Sequence, residues 1–136
     1  MAVTQKAWHL PAGHRVDGER WQIRVVELSG SAPGPSTAFV SGIHGNKALG
    51  CVALTRLIDR LSDMELIGTV IVVPAVNLPA LHEASYFGPD GFSINRRFPG
   101  RSSGCVSDQI AAALLPMLLD RSDCIVDIQS GTPDMA

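Results

Sequence analysis

The sequence predicts a three-layer α/β/α domain on a mostly parallel sheet, and three observations carry that class. Thr37–Ser41, Val70–Pro74 and Cys124–Ile128 are short, continuous apolar runs, the pattern of strands covered on both faces. Between the first two runs, Leu49, Val52, Ala53, Leu57, Ile58 and Leu61 recur at the three- and four-residue spacing of a helix. Strand, helix and strand within about forty residues make a βαβ unit, whose right-handed crossover joins parallel strands.

The elements follow in order. Residues 1–20 are mixed, and Pro11, Gly13 and Gly18 predict loops around a short extended segment, an N-terminal extension or edge element. His9 and His14 lie there without metal-ligand companions and are expected at the surface or in packing. Trp21–Leu28 is rich in β-branched and aromatic residues and reads as a strand; Ser29–Pro35 reads as a turn. After Pro74 the stretch Ala75–Gly104 is dense in Pro, Gly, Ser and Asn. A loop that long in a compact domain usually has a function. Ser107–Leu119 is helical, with Ser107 as N-cap, Asp108 in the first turn and Pro116 predicting a kink or early end. No repeat or second domain is visible, so residues 1–136 are expected to form one domain.

Apolar residues make up 46% of the 136 and charged residues 18%, a balance that suits a large core or a surface covered by a partner. A net charge of −2 gives no basis for nucleic acid or an anionic membrane as partner. The apolar runs are too short to span a bilayer, and the N-terminus lacks the apolar core of a signal peptide. Cys51, Cys105 and Cys124 are scattered and odd in number, as expected of reduced, partly buried thiols in a cytoplasmic protein.

The stretch Ser41–Gly50, SGIHGNKALG, joins the first apolar run to the helix. In an α/β sheet such a turn lies at the carboxyl end of a strand, where ligands bind. His44 stands between glycines, followed by Asn46 and Lys47. A histidine three residues before a carboxylate would supply two zinc ligands; here a lysine holds the second place.

Four segments resemble the succinylglutamate desuccinylase/aspartoacylase family of the zinc carboxypeptidase-like superfamily. They are GIHGNK at 42–47, PAVNLPAL at 74–81, DGFSINRRFPG at 90–100 and DIQSG at 127–131. The resemblance implies a truncated zinc-carboxypeptidase-like fold and an amide hydrolase that binds one zinc through H-G-x-E and D-x-H-[ST]-G. His44 matches the first ligand. Lys47 stands at the glutamate position and Gln129 at the second histidine, between the intact flanks Asp127 and Ser130-Gly131. The family's catalytic glutamate lies well downstream of that motif, so the likeness is to the N-terminal half of such an enzyme. Asn95 and Arg96 match the residues that hold the substrate's carboxylate, a task suited to a guanidinium.

The expected function is that of a catalytically impaired deacylase-like domain that keeps a pocket for a carboxylate, such as an acyl-amino acid, built from Lys47, Arg96 and Asn95. No cofactor is expected; zinc enters by resemblance alone. The chain is expected to pair with itself or another chain. The alternative is an active zinc-dependent deacylase whose missing groups come from a partner. Arg97 is expected in solvent or paired with Asp90, Asn77 and Pro79 in shaping the loop, Tyr86 and Phe98 in packing or the pocket wall, and His82 at the surface.

Overall fold

The structure, a computed structural model, describes residues 3–131. Strands β1 (Thr4–His14), β2 (Arg20–Ser29) and β3 (Ala32–Ser41) lead into helix α1 (Leu49–Ser62) and strand β4 (Ile67–Val73). Short helix α2 (Leu78–His82), a 3-10 turn (Ile94–Arg96), helix α3 (Val106–Arg121) and strand β5 (Cys124–Ile128) complete the chain. The sheet order is β1-β2-β4-β3-β5. Its parallel part is β4-β3-β5; β1 with β2 and β2 with β4 pair antiparallel. The parallel core is thus extended by an antiparallel hairpin, which gives a mixed sheet.

Strand residues alternate between two apolar layers, which is why their sequences read as continuous runs. Val25, Ala38, Val40, Ile71 and Val73 face α3, where Ile110 and Leu114 close the larger core. Val26, Leu28 and Val72 face the other way, onto Leu54 and Ile58 of α1.

Several expectations are corrected. Residues 4–14 form an eleven-residue strand, not loops around a short segment. As an edge strand β1 accommodates Pro11, and Gly13 (φ +71°) sits at its bulge. The turn expected over Ser29–Pro35 is largely the start of β3, where Ala32 pairs with Ile67 before the register shifts. Helix α1 has the predicted period but is rotated: Gly50, Leu54 and Ile58 are buried, whereas Leu49 and Val52 are 73% and 49% exposed. The rotation brings Gly50 against the Ser41 hydroxyl and the Ile128 carbonyl, a spot where a side chain would collide. Helix α3 runs past Pro116 to Arg121. Its N-cap position is Cys105, not Ser107. Ser107 lies in the first turn, and the distant Asp90 carboxylate accepts from both its backbone N–H (2.7 Å) and its hydroxyl (2.9 Å). Strand β5 is not fully buried: Cys124, Ile125 and Asp127 are exposed.

The long stretch before α3 is held by a partly buried ion pair. Arg97 donates through Nε and Nη2 to the two carboxylate oxygens of Asp108, at 2.9 and 2.8 Å. Arg97 therefore pairs with Asp108, not with solvent or Asp90. Its guanidinium also lies 4.4 Å from the centre of the Phe92 ring. The Arg97 hydrogen bonds, opposed by burial, hold the Asp108 carboxyl at about 2, below its ordinary 3.8. A depressed carboxyl stabilises the fold above its unfolded value, and that contribution is lost as pH falls towards the folded one. Asp108→Asn is expected to lower the denaturation midpoint at neutral pH and to flatten the loss of stability between pH 3.8 and about 2. Denaturant titrations across that range check it; parallel acid limbs for the two proteins would contradict it.

Candidate functional site

Because β3, β4 and β5 run parallel, their carboxyl ends share one edge of the sheet. Val40 pairs with both Val73 and Asp127, so the three chains leave the sheet at the same level. From there come Gly42–Lys47, Pro74–Asn77 and Gln129–Gly131.

The first turn is held close against the second. Asn77, 1% exposed, donates its side-chain N–H to the Ile43 carbonyl (3.1 Å) and accepts from the Ala80 N–H. Its backbone N–H reaches the Gly42 carbonyl at 2.9 Å. A Cβ at Gly45 would overlap the Ala80 carbonyl of α2, so the turn approaches α2 as only a glycine allows. As expected, Asn77 and Pro79 shape this segment; Pro79 is buried in the first turn of α2.

His44 is 3% exposed. The Tyr86 ring lies flat against its imidazole, with centroids 3.8 Å apart and planes 11° from parallel. Nδ1 of His44 faces the Tyr86 carbonyl at 3.3 Å, and a carbonyl only accepts, so Nδ1 carries the proton in this contact. Burial pushes the imidazole pKa down, the Tyr86 carbonyl opposes that, Lys47 adds to it and Asp127 opposes it. The turn's histidine therefore feels both Lys47, three residues on, and Asp127 at the end of β5. The Lys47 ammonium lies 5.8 Å from the centre of the Tyr86 ring. Phe87 meets Tyr86 edge-on, completing the aromatic cover.

The other predicted residues are placed around this centre. Gln129 is exposed, and its amide donates to the Asp127 carboxylate at 2.6 Å. Asn95 accepts from the Ser93 hydroxyl and, with Asp127, lines an apolar groove of about 200 Å³ whose walls include Ile43, Phe98 and Ile125. Arg96 is exposed on the same 3-10 turn, and neither it nor Lys47 belongs to an ion pair among the described residues. The Asn46 Oδ1 and Ser130 Oγ, next in the chain to Lys47 and Gln129, are buried without a hydrogen-bond partner. Among the described residues no three His, Cys, Asp or Glu side chains are grouped as a metal would need. His82 is exposed, with its ring edge-on to Trp21.

The geometry thus gathers Lys47 and His44 about the Tyr86 ring, and separately sets Asn95 and Asp127 on one groove. Tyr86 is the site residue whose part the sequence left open. It is the chain's single tyrosine, in a loop without periodicity, and its contact with His44 spans 42 residues.

Comparison with known proteins identifies the family of the chain. Residues 33–136 match the model of the succinylglutamate desuccinylase/aspartoacylase catalytic domain. The chain is 37% identical over 99 residues to the N-alpha-acetyl-L-2,4-diaminobutyric acid deacetylase of Halomonas elongata, covering 72% of this chain and 29% of that protein. It superposes on an aspartoacylase family protein of Mesorhizobium loti with a TM-score of 0.81 at 34% identity, over 93% of this chain and 40% of that one. For a succinylglutamate desuccinylase/aspartoacylase of Rhodobacter sphaeroides the TM-score is 0.84 at 30% identity, over 96% and 40%. The chain therefore spans about two fifths or less of the length of these relatives. By the extent of the family match, the chain belongs to the succinylglutamate desuccinylase/aspartoacylase family.

Proposed function

We propose that this chain is a deacylase-like domain that holds a small carboxylate, of the acyl-amino acid class, without hydrolysing it, and that it works paired with a second polypeptide. The observation that carries the reading is a pair of cations, one on the turn after β3 and one on the 3-10 turn. Lys47 and Arg96 are cations without an ion-pair partner among the described residues, close in the chain to His44 and Asn95. Buried Asn46 Oδ1 and Ser130 Oγ, both unpartnered, add an acceptor and a hydroxyl. An acyl-amino acid offers an amide N–H to the first and oxygens to the second.

Zinc does not fit this donor set. Catalytic zinc sites use three protein ligands and a water. Here the imidazole of His44 lies under Tyr86, Lys47 brings an ammonium, and the Gln129 amide is engaged with Asp127. Near a protein surface two unit charges about 4 Å apart interact by roughly 4 kcal/mol, and a dication doubles the repulsion from Lys47. The relative from Halomonas elongata is by name a deacetylase of an acylated amino acid, which supports the carboxylate class of ligand. The alternative, a working zinc deacylase completed by a partner, rests on the family match alone.

N-Acetyl and N-succinyl amino acids at millimolar concentration are expected to raise the melting temperature, and Lys47→Ala to weaken binding roughly tenfold or more, the loss of one charge-assisted hydrogen bond. Thermal scanning reads the first and calorimetric titration the second, and no response of the wild-type protein at millimolar ligand sinks the carboxylate pocket. Metal content is the second test. The wild-type chain is expected to hold far less than one zinc per molecule, and Lys47→Glu with Gln129→His to gain zinc affinity. Stoichiometric zinc in the wild type would favour the alternative; no uptake by the double variant would mean that positions 47 and 129 do not share a site.

A further inference from the structure

The loop after α2 brings one side chain back against the turn that carries His44. Two residues past α2, Ala84 has a left-handed backbone (φ +48°), the one non-glycine with a positive φ among the described residues. The Ser85 N–H donates to the Ala80 carbonyl at 3.0 Å and the Ala84 N–H to the Leu81 carbonyl at 3.2 Å. That pair of bonds closes a helix end around a left-handed residue, a place glycine ordinarily fills. Such strain in an alanine persists only where the surroundings over-determine it, and it gathers at binding sites. The Ser85 hydroxyl then accepts from the Phe87 N–H at 3.2 Å, which fixes the turn around Tyr86. The Tyr86 ring packs flat on the His44 imidazole, its carbonyl accepts from His44 Nδ1, and the Lys47 ammonium lies 5.8 Å from the ring centre. None of these contacts uses the Tyr86 hydroxyl.

We infer that Tyr86 is a positioning residue of the proposed pocket: it fixes the orientation of His44 and holds the Lys47 ammonium over its ring face. A lysine carries its charge on a long flexible stem, which on a turn spreads that charge over a wide volume. The negative face of an aromatic ring attracts the ammonium and narrows the spread before a ligand arrives. Order set in advance is order that binding need not impose, so a carboxylate meeting Lys47 binds more tightly. Tyr86 thus acts on the ligand through Lys47, whereas a tyrosine that only packed the loop would be indifferent to that lysine. Its effect on a ligand rests on the carboxylate pocket proposed above; its hold on Lys47 and His44 does not.

Tyr86 is the chain's single tyrosine, so its ring resonances are identified by residue type alone. In the full chain without ligand, proton NMR is expected to show the His44 ring protons and the Lys47 ε-methylene displaced upfield by the Tyr86 ring current. Tyr86→Phe is expected to keep both displacements and Tyr86→Leu to abolish them. In calorimetric titration with N-acetyl amino acids, Tyr86→Leu is expected to weaken binding about two- to fivefold, the scale of one cation–π contact, and Tyr86→Phe to restore it. That weakening is expected to vanish when Lys47 is already alanine. Equal weakening in the wild-type and Lys47→Ala backgrounds, lost binding in Tyr86→Phe, or undisplaced His44 and Lys47 protons in the wild type overturns the inference. Should Tyr86→Leu fail to fold, the wild-type displacements and nuclear Overhauser contacts from the Tyr86 ring to His44 and Lys47 decide. A wild type that shows the displacements but binds no carboxylate keeps the positioning role and sinks the pocket; one that binds without them does the reverse.

Discussion

The candidate site depends on what one buried amide does. Asn77 spans the gap between two strand ends, donating to the Ile43 carbonyl and accepting from the Ala80 N–H, while its own backbone N–H takes the Gly42 carbonyl. No other uncharged side chain of that length both donates and accepts; an ionised aspartate could only accept. With the bridge in place, the turn after β3 hangs from the turn after β4, and α2 lies against Gly42 and Gly45. His44 is carried in between, almost without exposure. Its position is a consequence of two neighbouring parallel strands ending level, made rigid by a hydrogen-bonding group that cannot be left unmet in the interior.

The same economy holds the loop on the other side. Asp90 satisfies the start of α3 from seventeen residues away, and Asp108, inside that helix, clamps Arg97. Between these two carboxylates, the Ile94–Arg96 turn has little freedom. Arg96 and Arg97 are the same residue type at adjacent positions, yet one is spent on the fold and the other is left outside. A 3-10 turn separates their directions, and only the second reaches Asp108. The available cation is therefore Arg96, presented beside Asn95 on a base fixed by its neighbour.

How much of this was legible follows from which interactions are local. Strands buried on both faces announce themselves, because each layer takes every second residue and both layers are apolar; β4 and the second half of β3 were read that way. Strand β1 was hidden by Pro11 and Gly13, residues that an edge with a bulge tolerates but a loop also favours. The period of α1 was plain, but not which apolar residues face inward. Gly50, which carries no hydrophobic signal, takes the tightest contact and turns Leu49 outward. The strand-end residues His44, Lys47 and Gln129 could be named from their motifs. The stacking of Tyr86 on His44 could not, since aromatic contacts across a loop leave no periodic trace.

That stacking also bears on how a ligand would be met in the proposed pocket. With Tyr86 against the imidazole and burial pushing the His44 pKa down, the centre of the turn is poorly suited to offer charge to an anion. The charge lies further out, on the Lys47 ammonium beside the Tyr86 ring and on Arg96. Asp127 would repel a carboxylate from the β5 side, but the Gln129 amide already donates to one of its oxygens, which spreads and partly screens that charge. A glutamate at position 47 would add a second carboxylate to this edge and turn it towards cations. In the proposed reading, a lysine at 47 and a glutamine at 129 would instead turn this edge towards anions, both acting in the same electrostatic direction.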